Sequence, residues 1–465
     1  MAPLEKYDAI VIGSGQGGTP LCQALARAGM HTALVEREHV GGTCVNEGCT
    51  PTKTIIASGR VAYLVRRGAD YGVHPNVPRI SMEKVRQRKR KIVKQFRGRD
   101  EDSIRKTANL DWIVGEASFT AAKSIDIKLK QGGSRSLTAD RIFINAGCRP
   151  GVPNLPGLSD VPYLDSTSIM ELARVPKHLL VLGGGYVGLE FGQLFRRLGS
   201  QVTIVQRGPR LLAHEDEDVA DAVAQILRED GIQVFLNATA TRVASSGSKL
   251  SLQVAVGGKN RTLLGTHLLV ATGRVPNTDS LRVSAAGIAT DQRGFIHTND
   301  KLESSVSGVY AIGDIKGGPA FTHISYDDFR IIRTNLIEKG NASIANRLVP
   351  YTVYIDPQLG RVGLAEQEAR VTGQPFRVAK MPMAYVARAE ETDETRGFMK
   401  AVVDPASGQI LGAAVLGTEG GEIMSQIQIA MMGKLPYEVL QNAVFAHPAL
   451  SEALNNLFLP ENFQS

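Results

Sequence analysis

YDAIVIGSGQGG, residues 7–18, decides the fold of the first part of this 465-residue chain. Its apolar half predicts a strand, and its second half supplies the glycines of a G-x-G-x-x-G turn: Gly13, Gly15 and Gly18. A helix to residue 28 and a strand over residues 31–35 should follow, and that strand ends at Glu36. In this context the glycines let the backbone approach a pyrophosphate, and Glu36 can accept hydrogen bonds from a ribose. The stretch predicts a dinucleotide-binding fold; the alternative is a tight turn beside a surface glutamate.

The same pattern returns 170 positions later, with a strand over residues 178–182 and a helix to residue 198. Its glycines are Gly183, Gly185 and Gly188. Two such folds predict two bound dinucleotides. Gln206 stands at the position equivalent to Glu36, and Arg207 and Arg210 follow it. An acid there selects NAD, whereas a nearby arginine can hold the extra phosphate of NADP. We therefore expect NADPH in preference to NADH; the alternative is that the arginines are surface charges and both nucleotides bind.

Residues 41–53, GGTCVNEGCTPTK, hold two of the four cysteines, Cys44 and Cys49. A regular helix would separate their Cα atoms by roughly 7.5 Å, beyond the ~7 Å reach of a disulfide. A bond between them therefore requires a bent backbone, which Gly48 best allows. Pro51 suits the first turn of a following helix, with Thr50 as its cap.

The N-terminus of that helix would favour the thiolate of Cys49. Lys53 adds a positive charge in the same turn, so we expect it to have an anionic partner or a task. The residues alone leave three alternatives: a structural or buried cysteine pair, half of a zinc site, and a redox-active disulfide. A zinc site is disfavoured because Cys22 and Cys148 are isolated, with no second close pair.

The thirteen residues 41–53 resemble the redox motif of the class I pyridine nucleotide–disulfide oxidoreductases, which include dihydrolipoyl dehydrogenase, glutathione reductase and mercuric reductase. The resemblance covers essentially the whole chain. It implies an α/β fold with two Rossmann-like dinucleotide-binding domains, for FAD and NAD(P), and a C-terminal α+β dimerisation domain. The expected boundaries are 1–150 for the first part of the FAD domain, 151–276 for the NAD(P) domain, 277–346 for the return to the FAD domain, and 347–465 for the dimerisation domain.

The resemblance also implies an enzyme that passes electrons from NAD(P)H through FAD to a Cys44–Cys49 disulfide, and on to a substrate. Cys49 would lie nearer the flavin as the charge-transfer thiolate, while Cys44 attacks the substrate. Lys53 would lie near the flavin ring, paired with Glu190. The implied FAD contacts are Gly13, Gly15, Gly18, Glu36, Gly42, Thr43, Lys53, Gly147, Gly313 and Asp314. The implied NAD(P) contacts are Gly183, Gly185, Gly188, Glu190, Gln206, Arg207 and Gly273.

Residues 445–452, FAHPALSE, resemble the H-P-x-x-S-E segment of the same family. His447 precedes Pro448 and should be extended, outside a helix that Pro448 starts. A histidine held by Glu452 can shuttle protons near neutral pH. The residues alone favour an ordinary histidine at a helix start, and the resemblance reverses that preference. The resemblance implies that His447 acts across a homodimer, on the disulfide of the other subunit.

Charge and hydropathy restrict the partners. The net charge of +7 suits anionic ligands and does not require nucleic acid. A basic helix is predicted over residues 81–106, with a narrow apolar stripe at Val85, Ile92 and Phe96 and without the aromatic interleaving that base stacking needs. Because we find no signal peptide and no run of 18 apolar residues, we expect a cytoplasmic protein with no membrane contact. We also expect no bound metal. A cysteine pair in that compartment is more often catalytic than structural.

The substrate is less well defined by the sequence. A disulfide or similar oxidised-sulfur compound is favoured, because His447 is what thiol–disulfide exchange needs. The alternatives are dihydrolipoyl oxidation and reduction of Hg(II). Mercuric reductase carries a cysteine pair at its extreme C-terminus, and residues 460–465 contain none. A scaffold or redox sensor whose disulfide never turns over is a further alternative, against which the His447–Glu452 pair argues.

Overall fold

The structure, a computed structural model, describes residues 4–74, 76–247 and 249–464. The first three residues and the last, which the predicted domains include, lie outside the described residues. The chain divides into two compact units. Unit 1 comprises Met1–Ile55, Glu83–Gly151 and Gly273–Arg347. Unit 2 comprises Ile56–Met82, Val152–Thr272 and Leu348–Ser465.

The strands, numbered along the chain, are β1 (Leu4–Ile12), β2 (Thr32–Glu36), β3 (Leu110–Ala121), β4 (Ser124–Leu129), β5 (Ser134–Ile144), β6 (Cys148–Pro150), β7 (His178–Leu182), β8 (Gln201–Val205), β9 (Gln233–Phe235), β10 (Ala238–Ser246), β11 (Lys249–Val256), β12 (Lys259–Gly265), β13 (His267–Val270), β14 (Arg274–Pro276), β15 (Val309–Ala311), β16 (Tyr351–Val353), β17 (Gln358–Gly363), β18 (Arg377–Pro382), β19 (Phe398–Val403) and β20 (Ile410–Gly417).

The α-helices are α1 (Gly18–Arg27), α2 (Gly42–Asn46), α3 (Cys49–Arg66), α4 (Met82–Arg105), α5 (Tyr186–Leu198), α6 (Glu217–Glu229), α7 (Thr278–Leu281), α8 (Thr322–Leu336), α9 (Glu366–Thr372), α10 (Ala387–Glu391), α11 (Gly420–Met432), α12 (Tyr437–Gln441) and α13 (Ala453–Leu457). Among the described residues, no helix is long and apolar enough to cross a membrane.

Unit 1 is built on a six-stranded sheet in which β1 pairs in parallel with both β2 and β5, and β15 pairs in parallel with β5. The apolar end of β1 is fully buried, as expected for a central parallel strand covered on both faces. The carboxyl ends of β1 and β5 therefore lie side by side, at Ile12 and Ile144. Ligands of open parallel sheets bind at this edge, and the residues that follow both strands prove to be part of the site.

Unit 2 holds a four-stranded parallel sheet in the order β13-β7-β8-β9, with α5 packed on β7 and β8. A three-stranded antiparallel sheet, β10-β11-β12, belongs to the same unit. A five-stranded antiparallel sheet follows, in the order β16-β17-β20-β19-β18, with α11 packed on β17 and β20. The predicted strand and helix of the second nucleotide fold are confirmed at β7 and α5, and the predicted α+β character after Arg347 is confirmed by this last sheet and α11.

Three local predictions are wrong. Cys49 is the first residue of α3, so Thr50 lies inside the first turn and does not cap it. Phe96 is 44% exposed and does not belong to the packed face of α4, which instead buries Lys89, Val93 and Ile104. A lysine can occupy that face because its aliphatic stem packs while its head finds a polar partner.

The third error concerns Pro448, which starts no helix. Ala449, the residue after it, is extended, with φ −121° and ψ 147°. A 3-10 turn over Leu450–Glu452 leads instead into α13.

Candidate active site

The first glycine turn lies at the carboxyl edge of the unit 1 sheet and is packed too closely for side chains. Gly13 has φ +97°, and a Cβ there would lie 2.4 Å from the carbonyl oxygen of Asn145. A Cβ on Gly18 would lie 2.0 Å from the carbonyl oxygen of Gly13. Gly17, the N-cap residue of α1, makes no side-chain cap to the helix that this turn leads into. The positive end of the α1 dipole is thus directed at a ligand bound on this turn.

Glu36 and Asn145 hold this turn in place. The Glu36 carboxylate accepts hydrogen bonds from the backbone N–H of Ser14 at 3.0 Å and from its hydroxyl at 2.6 Å. Asn145 is 7% exposed. Its Oδ1 accepts from the N–H of Gly18 at 2.9 Å, and its Nδ2 donates to the carbonyl of Ile312 at 3.0 Å. Asn145 therefore ties the glycine turn to the segment that leads into Gly313 and Asp314.

The redox segment packs directly on the same turn. The N–H of Gly41 donates to the carbonyl of Ser14 at 3.1 Å. Gly42 has φ +59°, and a Cβ there would lie 2.7 Å from the Cα of Gly15. Only glycine permits this approach, so the predicted cofactor-binding residues Gly15 and Gly42 are brought together. Thr43, also predicted to bind FAD, is exposed in the first turn of α2.

Cys44 and Cys49 lie on either side of a break between α2 and α3, which confirms the predicted bend. Both are free thiols in this structure, and the two side chains are hydrogen-bonded. That hydrogen bond, together with burial and the charge of Cys49, raises the pKa of Cys44 well above the ordinary value, while Thr322 and Lys53 oppose the rise. Cys44 therefore holds its proton more tightly than an ordinary thiol.

Two helices begin at this thiol pair. Cys49 is itself the first residue of α3, and Thr322 is the first residue of the 15-residue α8. The Cys49 Sγ lies 3.2 Å from the Thr322 Oγ1. Two helix N-termini, a hydroxyl and the nearby charge of Lys53 all stabilise a thiolate at this point. The arrangement is suited to a reactive cysteine pair.

The other two cysteines are in settings that suppress reactivity. Cys22 is fully buried, and burial raises its pKa to about 12. Burial likewise raises the pKa of Cys148 to about 12, and its Sγ lies 3.4 Å from the carbonyl of Asp314. Because both thiols are also almost fully buried, neither is accessible to a substrate for thiol exchange.

The remaining predicted flavin residues lie in unit 1. Gly147 has φ +63°, and a Cβ there would point into open space. Asp314 lies in a 3-10 turn, Gly313–Lys316, directly after β15. Burial raises the pKa of Asp314, and the neighbouring Arg274 and Lys316 partly oppose that shift.

The second glycine turn, in unit 2, repeats the first in detail. Gly183 has φ +118°, and a Cβ there would lie 2.3 Å from the carbonyl oxygen of Ala271. Gln206 Oε1 accepts from the N–H of Gly184 at 3.0 Å, across the same 22 positions that separate Glu36 from Ser14. The repeat predicted from the glycines is thereby confirmed at the level of hydrogen bonds.

The other residues predicted to bind NAD(P) differ in exposure. Gly185 and Gly273 have open space where a Cβ would stand. Arg207 is exposed directly after Gln206. Glu190 is buried in α5 and accepts from the N–H of Tyr354 at 2.9 Å. Its predicted pairing with Lys53 joins residues of the two units and stays a prediction.

His447 and Glu452 are brought together in unit 2. The His447 Nδ1 lies 2.9 Å from Glu452 Oε2 and 3.2 Å from Oε1. The imidazole is 68% exposed, so its other nitrogen is open to solvent or a substrate. A histidine held at one nitrogen by a carboxylate has a defined orientation at the other.

Sequence reasoning missed Thr322 and Asn145. Thr322 lies 273 positions from Cys49, and Asn145 lies 127 positions from Gly18, so no local pattern links either one to its partner. A signal exists for both: Asn145 is the polar residue at the end of an apolar strand, and Thr322 follows the Gly-Gly-Pro of residues 317–319 at a helix start.

These elements define a chain with two dinucleotide-binding folds and a paired thiol centre, and the chain belongs to the class I pyridine nucleotide–disulfide oxidoreductase family. The family model "Pyridine nucleotide-disulphide oxidoreductase" matches residues 7–328, and that family's dimerisation domain matches residues 349–458. The chain is an FAD-dependent disulfide oxidoreductase, and its family uses FAD and a pyridine nucleotide.

Two relatives and one solved structure are similar to this chain over nearly its whole length. The probable pyridine nucleotide-disulfide oxidoreductase RclA of Escherichia coli K12 is 37% identical, over 98% of this chain and 99% of the relative. A mercuric reductase of Lysinibacillus sphaericus is 34% identical, over 97% of this chain and 82% of the relative. A solved Cu(II) complex of the HOCl-induced flavoprotein disulfide reductase RclA matches with a TM-score of 0.89 at 36% identity, covering 98% and 99% of the two chains.

The residues of unit 1 fit the flavin nucleotide. The positive dipole end of α1 suits a pyrophosphate, and the carboxylate of Glu36 suits a ribose. The close packing of Gly42 on Gly15 leaves backbone rather than side chains at that point of the turn. Asp314 supplies a second carboxylate at the end of β15.

Proposed function

We propose that the chain reduces a small disulfide, or a similar oxidised-sulfur compound, with electrons from NAD(P)H. The observation that carries the proposal is the hydrogen-bonded pair of free thiols, Cys44 and Cys49, at the start of two helices. When bound, FAD supplies the two-electron link between the nicotinamide and this pair. Residues 1–150 and 277–346 are assigned to FAD, 151–276 to NAD(P), and 347–465 to dimerisation.

In the proposed reaction the thiolate of Cys44 attacks one sulfur of the substrate RS–SR. A mixed disulfide forms between Cys44 and RS, and the other RS⁻ leaves and takes a proton from His447. The thiolate of Cys49 then attacks the sulfur of Cys44, which releases the second RS⁻ and closes the Cys44–Cys49 disulfide. Two electrons from NAD(P)H return the pair to the dithiol. Lys53 lowers the cost of negative charge at the pair.

Because the pKa of Cys44 is raised, its thiol needs a base before it can attack. His447, oriented by Glu452, is the proposed base, supplied by the partner subunit of a homodimer. The match to the family's dimerisation domain supports a homodimer.

A mixture of two inactive variants tests the shared site. Cys44→Ser and His447→Gln homodimers should each lose turnover. If His447 acts across the dimer, a heterodimer of the two retains one intact site and recovers measurable activity. Wild-type dimers that are dissociated and reassembled in the same way serve as the control. If these are active and the heterodimers are not, both residues act within one subunit.

NADPH is the proposed electron donor in preference to NADH. Gln206 keeps the hydrogen bond that an acid would make to the glycine turn, but it carries no charge to repel a 2′-phosphate. Arg207 is exposed next to it and can pair with that phosphate. The ratio of kcat/KM for NADPH and NADH tests the proposal, and a strong preference for NADH overturns it.

The substrate class is tested by stopped-flow reoxidation of the reduced enzyme with glutathione disulfide, lipoamide, hypothiocyanite, Hg(II) and Cu(II). We expect an oxidised-sulfur compound to give the fastest reoxidation, and to require Cys44. Dihydrolipoamide with NAD⁺ tests the dihydrolipoyl dehydrogenase alternative in the same assay. Reduced enzyme that none of the sulfur compounds reoxidises would support a sensor or scaffold instead.

Reduction of a soft metal ion is a second candidate, because mercuric reductases are relatives and RclA was solved with Cu(II). Two thiolates are good ligands for such ions. Among the described residues, however, no group of three or more His, Cys, Asp or Glu side chains is arranged to hold a metal. The metal arms of the reoxidation panel decide between the two candidates.

A cytoplasmic location is proposed as well. A cysteine pair that cycles between thiol and disulfide suits a compartment with a reducing poise. Cell fractionation with an antibody tests this, and recovery outside the cytoplasm contradicts it.

A further inference from the structure

The positive charge of the chain is concentrated in one helix. Residues 84–99, within α4, contain nine of the 53 lysines and arginines and no acidic residue. The other 44 basic residues face 46 acidic ones, so the rest of the chain has a net charge of −2. The whole of α4, with ten basic and four acidic residues, carries +6 of the chain's net charge of +7.

Three of these basic side chains lie on one exposed face of α4. Lys84, Lys91 and Lys94 are all exposed. At about 100° per residue their side chains fall within an arc of about 80°, and they span ~15 Å along the axis. The opposite face packs through Lys89, Val93 and Ile104.

The helix is attached to the redox segment by two side chains of its own. Arg97 Nε donates to the Oδ1 of Asn46, between the two cysteines, at 2.8 Å. Arg88 donates to the carbonyl of Thr54, in the α3 helix that Cys49 begins, at 2.7 Å. Lys94 is three residues from Arg97, or ~4.5 Å along the axis. The basic face therefore adjoins the segment that holds the thiols.

We propose that this face of α4 binds acidic polypeptide disulfides and holds them beside the thiol pair. The proposal rests on the disulfide reductase function and adds the chemical class of its substrate. The row of exposed lysines is about 15 Å long. An extended peptide, at about 3.3 Å per residue, would need several residues to span it, and a single carboxylate would contact only part of it. Charge complementarity of this kind raises association rates and selects partners.

Binding is tested on the full-length enzyme with two fluorescent peptides in which serine replaces cysteine, so that neither can react. One carries four glutamates around the serine and the other carries four glutamines. We expect the glutamate peptide alone to bind, with an affinity that falls as salt rises. The Lys91→Gln, Lys94→Gln double variant should weaken binding on the order of fivefold, as expected for exposed charge contacts.

A matched control removes the same charge elsewhere. Lys128 and Lys130 are exposed at the end of β4, in the same unit, and their double glutamine variant should bind as the wild type does. Equal binding of the two peptides, or equal loss in the two double variants, overturns the proposal. Tighter binding of a single-stranded oligonucleotide than of the glutamate peptide, dependent on Lys91 and Lys94, overturns it in favour of nucleic acid.

A turnover arm separates this proposal from the function on which it rests. The same two peptides, as cysteine disulfides, serve as substrates with NAD(P)H. We expect a higher kcat/KM for the glutamate peptide and a selective loss in the Lys91, Lys94 variant. Salt-dependent binding of the glutamate peptide without reduction of either disulfide would contradict the substrate assignment and leave the binding face supported. Reduction of both disulfides at equal rates would overturn the binding face alone.

Discussion

Replacement of Thr322 by valine isolates the effect of one hydroxyl on the thiol pair. The Thr322 Oγ1 lies 3.2 Å from the Cys49 Sγ, and valine keeps the shape of threonine while removing the hydroxyl. A hydrogen bond to a charged group contributes about 1.5–3 kcal/mol. Because Cys49 is exposed, solvent screens part of this stabilisation, and we use the lower end of that energy range. One pKa unit corresponds to about 1.4 kcal/mol, so the first ionisation of the pair should move up by about one unit.

The direction of the pKa shift depends on which form of the thiol the Thr322 hydroxyl stabilises. It donates to the thiolate, so its loss disfavours the deprotonated form and raises the pKa. The assay is the rate of alkylation by iodoacetamide as a function of pH, in anaerobically reduced protein. At pH values below both transitions the valine variant should react about tenfold more slowly than the wild type.

Thr322→Ser is the matched control, because it keeps the hydroxyl at the start of α8. Its alkylation profile should match that of the wild type. If the valine variant and the wild type titrate at the same pH, the hydroxyl does not stabilise the thiolate, and the proposed role of Thr322 in the thiol pair is wrong.

Three further perturbations test separate parts of the account. Cys44→Ser should abolish substrate turnover and keep bound FAD. Cys148→Ser, at a buried thiol whose pKa is raised to about 12, should leave turnover within about twofold of the wild type. NAD(P)H consumption measures turnover and flavin absorbance measures bound FAD; full turnover in Cys44→Ser rejects the scheme. Gly13→Ala should lose FAD, since its Cβ would lie 2.4 Å from a backbone oxygen at φ +97°, with a cost of at least ~1 kcal/mol; wild-type flavin content after purification would contradict this. Gln206→Glu should lower kcat/KM for NADPH about tenfold while sparing NADH, because a carboxylate repels the 2′-phosphate; an unchanged ratio of the two would exclude a role for position 206.

The parts of the fold that local sequence dictates were predictable. Gly13 and Gly183 each have a positive φ and pack against the backbone at the end of a neighbouring strand. Only glycine adopts this conformation without steric strain, so the same residue recurs in both folds. The break between Cys44 and Cys49 follows from the reach of a disulfide, which a continuous helix cannot satisfy.

The parts that depend on tertiary packing were not predictable. Hydropathy placed Phe96 on the packed face of α4, but the structure buries Lys89 there instead, at 5% exposure. Asn145 and Thr322 act on residues far along the chain, so their roles appear only when parallel strands and helix ends meet at one edge of the sheet. We expected a helix to start at Pro448 because proline is favoured in the first turn of helices. In the structure Ala449 is extended, so no helix starts there.

Thiol labelling during reduction by one equivalent of NAD(P)H tests the central claim most directly. The oxidised enzyme is treated anaerobically with a stoichiometric amount of nucleotide, alkylated under native conditions and mapped by mass spectrometry. The account predicts that two new alkylated cysteines appear, and that they are Cys44 and Cys49. Unchanged labelling after the nucleotide is consumed, or new labels at Cys22 or Cys148, would contradict it.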